Sequence, residues 1–429
     1  MLTQRLASLA AAASMLVLAA CSSDDGGGAA LTTTSAATTT ASQSSSTTTP
    51  ATTAGPTTTA AATPGTTAPP PAGDAFYTPP DPLPPGRPGD LLWSRPFNGP
   101  AGTQSYEILY RSTTATGDPV AVSGVVIAPA GEGGAPRPIV AWAHGTTGMG
   151  DQCAIGRAFA AGKAPDAVLA TLAIGKGWVF VASDYQGLGT PGDHTYLVGQ
   201  AEGRNVLDSI RAAQRLPGLG TSEKSAGLVW GHSQGGGAAW FAAELAPTYA
   251  ADANVKGSAA GAPAGDPGLL LSITSGGRNA GYGLMVAVGF MAAYPDLPGD
   301  LLTAGAKGEP LTLARTGCGG DIVAGLAGRS DLYTRQPASD PAWKKALDAN
   351  RAGGIRTDVP VLVYHGEADE LLPAATSKSL YDAACATGSP VERRTYPGGT
   401  HVGVIADALV DITAFFDARL AGAAFSGCR

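Results

Sequence analysis

Two apolar patterns alternate along the chain from residue 120 onward. The first is a series of short runs rich in β-branched and aromatic side chains. Residues 120–129 alternate and end at a proline, and residues 139–143, 178–182 and 228–230 are buried-strand runs. Residues 255–259, 361–364 and 392–396 continue the series. The second pattern has helical spacing. Val206, Leu207, Ile210 and Ala213 share one face of residues 201–216, as do Ile405, Leu409, Ile412 and Phe416 near the end. Short apolar strands alternating with helices predict a mostly parallel sheet covered on both faces, an α/β architecture.

Residues from about 265 to 350 break this rhythm. They hold an apolar run from Tyr282 to Tyr294 and several Gly and Pro residues, with no clear strand. An insertion here is expected to form a helical cap over the residues that follow the strand at 228–230. The competing expectation is a packed surface helix pair with no role at a site. Apolar helices above a reactive side chain would also shape a pocket for an apolar ligand.

The ends of the chain change the picture. Arg5 followed by an apolar, alanine-rich stretch to Ala20 reads as an export signal, too short for a comfortable membrane span. Leu18-Ala19-Ala20-Cys21 resembles a bacterial lipobox, which would make Cys21 the lipid-bearing first residue of the mature chain. The alternative is an ordinary signal with a cysteine nearby. Residues 22–72 are almost wholly Thr, Ser, Ala, Gly and Pro, which cannot bury enough surface to offset chain entropy. Residues 21–79 are therefore expected to be a disordered tether, and residues 80–429 one domain carrying the cap. A net charge of −7 argues against nucleic acid as a partner.

The candidate chemistry centres on Gly231-His232-Ser233-Gln234-Gly235. It follows a strand pattern and precedes a run of small residues that reads as a helix start. Strand, Gly-x-Ser-x-Gly and helix together make a nucleophile elbow, in which a sharp turn exposes the serine. Serine needs a base to take its proton and a third group to orient that base. The chain has five histidines, and His401 alone follows the acid candidates, so it is the expected base. Three carboxylates compete for the acid: Glu367, Asp369 and Glu370. Asp369 fits the His-Gly-x-x-Asp spacing after the strand at 361–364, whereas Glu367 and Glu370 read as solvated or helix-capping groups. Charge developing on a substrate carbonyl needs donors already in place. The N–H of Gln234 is the first candidate. The glycine-rich loop from His144 to Gly148, with Gly145, is the second. No metal-ligand spacing appears, and no cofactor is expected. The Gly187–Gly192 run formally matches a dinucleotide fingerprint but opens no helix, so no nucleotide site is expected.

Residues 183–192 and 196–208 carry a family resemblance. Ser183-Asp184-Tyr185-Gln186-Gly187, then Tyr196-Leu197-Val198-Gly199 and Glu202-Gly203-Arg204-Asn205, taken with the elbow and the late Asp and His, resemble the secretory lipase family. The resemblance runs from about Trp93 to the C-terminus. It implies an α/β-hydrolase with a helical cap, acting on acylglycerols and other carboxylic esters, with Ser233, Asp369 and His401 as triad. It also implies that Asp184 assists the oxyanion hole, a role that requires a protonated, donating carboxyl. The family's yeast type has glycine after the nucleophile where this chain has Gln234, which puts local packing and substrate range in question.

Four cysteines follow Cys21. In an exported chain an even number suggests two disulfides, with three possible connectivities. The resemblance favours Cys385–Cys428, which leaves Cys153–Cys318 to tie the oxyanion-side loop to the cap. The expected protein is thus an exported, membrane-anchored monomer acting on a lipid-like ester through an acyl-enzyme. A serine peptidase on the same fold and an acyltransferase are the alternatives.

Overall fold

The computed structural model describes residues 69–131, 133 and 136–428. The expected export signal, the lipid-bearing Cys21 and most of the expected tether lie outside the described residues. The first strands are β1 (Leu91–Pro96), β2 (Thr103–Thr113) and β3 (Pro119–Pro129), then β4 (Ile139–Ala143). Helices α1 (Ile155–Ala160) and α2 (Ala167–Gly175) lead to β5 (Val179–Ser183), and α3 (Gly199–Arg215) to β6 (Gly227–His232). Next come α4 (Gln234–Tyr249) and β7 (Val255–Gly261). Five helices follow before the next strand: α5 (Pro267–Thr274), α6 (Ala280–Ala293), α7 (Glu309–Thr316), α8 (Gly319–Leu326) and α9 (Pro341–Ala349). The chain closes with β8 (Val361–Gly366), α10 (Ala374–Ala386), β9 (Val391–Tyr396) and α11 (Val404–Leu420).

The strands form one sheet in the order β1-β2-β3-β5-β4-β6-β7-β8-β9. Pairs from β5 through β9 are parallel, and β1 to β3 add an antiparallel edge. Alternation along each strand feeds two cores. Ile139, Ala141 and Ala143 pack with α3 and α4, while Val140 and Trp142 pack with α1, α2 and α11. On β8 Val361 and Val363 take the first side, Leu362 and Tyr364 the second. A strand buried on both faces reads as a continuous apolar run, which is why these strands stand out in sequence.

Strands β1 and β2 do not stand out, because buried polar residues interrupt their apolar ones. Ser105, Glu107 and Ser112 are buried on β2. Glu107 accepts from Tyr77 Oη at 2.5 Å and from Arg95 Nε at 2.6 Å. Tyr77 belongs to a short 3-10 turn, Gly73–Tyr77, in which Phe76 and Tyr77 are buried against Leu92, Trp93 and Leu109. The ordered domain therefore begins before residue 80, inside the stretch expected to be tether. Burying each of these rings contributes about 1.5–3 kcal/mol.

Among the described residues no strand lies between β7 and β8. The five helices share their own core, with Leu284, Phe290, Ile322, Trp343 and Leu347 in contact with Tyr196, Leu197 and Leu372. Three backbone bonds strap residues 317–319 to the loop after β4: Met149 N–H and Gly150 N–H to Gly317 O at 3.0 and 3.3 Å, and Gly319 N–H to Thr147 O at 2.8 Å. The Cys153–Cys318 disulfide closes the same junction, and Cys385–Cys428 ties α10 to the C-terminal segment.

Glu244 on α4 is almost fully buried and accepts the N–H groups of Gly353 (2.8 Å) and Ile355 (3.4 Å), fixing the segment before β8. Burial pushes its carboxyl up to about 8, against the lowering effect of those bonds. A folded carboxyl that holds its proton this tightly costs nothing below its unfolded pKa of about 4.3. It costs progressively more as pH rises towards 8. Glu244→Gln is expected to lose less stability than the parent between pH 5 and 8. At pH 8 its melting temperature should rise relative to the parent by more than about 2 °C. Parallel melting curves across that pH range would refute the assignment.

Candidate active site

Ser233 sits between the last residue of β6 and the first of α4, with φ of 60° and ψ of −120°. That positive φ is uncommon for a side-chain-bearing residue. It is held by Ser233 N–H to Gly261 O at 2.9 Å and by Ala264 N–H to Ser233 O at 3.0 Å. The turn is closed by glycine: a Cβ on Gly231 would overlap the Gly235 carbonyl, and one on Gly235 the Ala143 carbonyl. Only this sequence spacing lets β6 turn directly into α4 against β4.

The structure brings Ser233, His401 and Asp369 together. His401 Nε2 lies 3.0 Å from Ser233 Oγ, and His401 Nδ1 lies 2.7 Å from Asp369 Oδ2. Ser233 is half-buried, while His401 and the Asp369 side chain are buried. Asp369 also accepts N–H groups from Leu371 (2.9 Å) and Leu372 (2.7 Å). His365 Nε2 approaches Asp369 Oδ2 at 3.1 Å and the Leu372 carbonyl at 2.8 Å. Burial pushes the Asp369 carboxyl up, but hydrogen bonds from His365 and His401 outweigh it and hold the group well below the usual carboxylate range. Glu367 accepts from Thr395 Oγ1 at 2.8 Å. Glu370 accepts the backbone N–H of His401 at 3.0 Å, so it holds that loop rather than capping a helix. His232, inside the elbow, packs its ring against His401 with centroids 4.9 Å apart. Burial, then the neighbouring His401, push its imidazole down to about 3, so it stays neutral there.

Gln234 opens α4, where an N–H has no partner one turn back. Gly145 lies beside Ser233: a Cβ placed on it would be 3.8 Å from Ser233 Cβ. Asp184 is spent elsewhere. Its two oxygens accept from Ser123 Oγ at 2.7 Å and from Gly156 N–H at 2.6 Å, tying β3 to α1, and β4 separates its strand from β6. Burial pushes Asp184 up to about 6. His194 and Glu202 are both buried beside Gln234. Gln234 Nε2 donates to Glu202 Oε1 at 2.7 Å and lies 3.0 Å from His194 Nε2. Nothing in their spacing signals this contact, which joins three separate segments. Among the described residues no group of three or more His, Cys, Asp or Glu side chains could hold a metal ion.

A model of the secretory lipase family matches residues 163–426. The chain belongs to the secretory lipase family. By that membership it is a carboxylic ester hydrolase. It is 29% identical over 347 residues to a probable inactive lipase of Mycobacterium tuberculosis, covering 74% of this chain and 75% of that protein. It is 26% identical over 348 residues to a secreted triacylglycerol lipase of Malassezia globosa, covering 74% of each. Candida antarctica lipase A in its closed state superposes with a TM-score of 0.70 at 22% identity, over 80% of this chain and 84% of that one. A rice cell wall degrading esterase from Xanthomonas oryzae gives 0.64 at 21%, over 78% and 98%. These two likenesses establish the α/β-hydrolase fold of this family member.

Proposed function

We propose that the chain is a serine hydrolase that cleaves lipid-like carboxylic esters, acylglycerols among them, through an acyl-enzyme. The observation that carries this is the unbroken chain of short contacts from Ser233 through His401 to Asp369. His401 Nε2 takes the Ser233 proton as Oγ bonds to the ester carbonyl carbon. The negative charge then on the carbonyl oxygen meets the N–H groups of Gln234 and Gly145. The intermediate collapses, the C–O bond to the alcohol breaks, and His401 returns its proton to the leaving alkoxide. Water then attacks the acyl-enzyme by the same route and releases the acid. Asp184 acts through the loop it holds rather than as an oxyanion donor.

The helices of residues 265–350 are the cap over this site, and they share an apolar core of their own. Pairing of all four cysteines after Cys21 fits a chain that works outside the cytoplasm. We place it there as a monomer on a tether anchored through lipid chains on Cys21, since stable anchoring takes two or more chains. The test is a fluorophosphonate probe with peptide mapping, run beside turnover of graded nitrophenyl esters, a triglyceride emulsion and proline-containing arylamides. The expected result is a single adduct on Ser233 and turnover of esters and triglyceride alone. Arylamide cleavage without ester cleavage, or labelling elsewhere, would overturn the proposal. Transfer to an added alcohol in preference to water would make the enzyme an acyltransferase.

A further inference from the structure

Glutamine follows the nucleophile here, and its side chain is directed inward, with Gln234 only 1% exposed. It contributes no wall to a substrate pocket. Its amide instead enters a buried polar knot whose hydrogen positions can be deduced. His194 Nδ1 lies 2.9 Å from the Gln186 carbonyl, which can only accept, so Nδ1 carries the proton. His194 Nε2 is then an acceptor. The Gln234 amide therefore uses one hydrogen on His194 Nε2 and the other on Glu202 Oε1. The same Glu202 oxygen accepts the N–H of Leu197 at 2.9 Å, a residue held at φ of 57°. Next to Leu197, Tyr196 Oη meets Thr146 Oγ1 at 2.8 Å, and Thr146 follows Gly145.

We infer that Glu202 is a positioning residue for the oxyanion hole. Its one buried carboxyl fixes Gln234 on one side of the nucleophile and, through Leu197 and Tyr196, the Gly145–Thr146 loop on the other. The inference rests on the proposed serine mechanism. Preorganised donors cost no rearrangement when charge develops, so loosening their support slows the chemical step and leaves ground-state binding largely intact. Burial pushes Glu202 up to about 8, against the bonds from Gln234 and Leu197, so near neutrality the group is mainly the uncharged acid. A neutral amide of the same shape offers the same acceptor oxygen.

The test measures kcat and KM of the purified full chain on p-nitrophenyl butyrate. Glu202→Leu is expected to lower kcat at least about 30-fold, a fraction of the cost of losing one donor outright, with KM within about threefold. Glu202→Gln recovers kcat to within about fivefold of the parent, because the acceptor is restored. Gln234→Met keeps the backbone donor, loses both side-chain bonds and lowers kcat in the same way. In the double variant Glu202→Leu/Gln234→Met the losses do not add, as for partners in one network. If Glu202→Leu does not fold, Gln234→Met decides, since it leaves the carboxyl in place. Parental kcat in the leucine and methionine variants, a loss carried by KM alone, or no recovery by glutamine overturns the inference. Ser233→Ala in the same assay separates the two levels. If it is inactive while Glu202→Leu is parental, only the positioning role fails. If it turns over at the parental rate, the serine mechanism itself fails.

Discussion

Replacing Ser233 by alanine is expected to lower ester turnover by about 10⁴-fold or more and to leave the melting temperature close to the parent's. The activity effect follows from the loss of the atom that bonds to the carbonyl carbon. What remains is binding and the oxyanion donors, which still accelerate attack by water to a small degree. The fold is expected to survive because Oγ contacts only His401 among the described hydrogen bonds of this side chain. The backbone at 233 is held by its own bonds to Gly261 and Ala264. The measurement is steady-state hydrolysis of a nitrophenyl ester beside a thermal melt. Parental turnover would remove Ser233 from the mechanism.

The elements most legible in the sequence are those where a single physical demand fixes several neighbouring residues. Strands β4, β5, β6 and β8 are buried along their whole length, so their apolar runs are nearly continuous. The elbow permits only glycine at 231 and 235, because the backbones of Gly235 and Ala143 occupy the space of a side chain. His401 and Asp369 stand out because a single histidine follows the acid candidates and one carboxylate fits the spacing after the strand at 361–364. The edge was less legible. Strand β2 buries Glu107 and Ser112 through partners at Tyr77, Arg95 and Asp208, all far away in sequence. The knot around Glu202 was invisible for the same reason. Its members sit on α3, on α4 and in the loop after β5, and a glutamate one turn into a helix reads as a solvated or dipole-matched group. For Asp184 the family resemblance alone implies an oxyanion role, whereas its two oxygens accept from Ser123 Oγ and Gly156 N–H.

Asp369→Asn is expected to cost about 10⁴-fold in kcat with little change in KM, and the hydrogen-bond pattern gives the reason. One oxygen of Asp369 accepts two backbone N–H groups, from Leu371 and Leu372. In the asparagine variant those donors claim the amide oxygen, so the amide NH₂ faces His401 Nδ1. A donor there can be met only if Nδ1 gives up its proton and accepts. The proton then sits on Nε2, the atom 3.0 Å from Ser233 Oγ, and the ring points a hydrogen at the hydroxyl it must deprotonate. His365 worsens the fit, because its Nε2–H, shared with the Leu372 carbonyl, also points at the position the NH₂ takes. The variant should be recognised by a second signature. The native carboxyl is held below the usual range, so it contributes stability above its unfolded pKa of about 3.9 and loses that contribution as pH falls further. Asparagine has no such dependence. The parent should therefore lose more stability than the variant on acidification below about pH 4, while only the parent is active at pH 8. Turnover within about tenfold of the parent at pH 8 would pass the orienting role to another carboxylate. Glu370, already bonded to the His401 N–H, would be the first to examine.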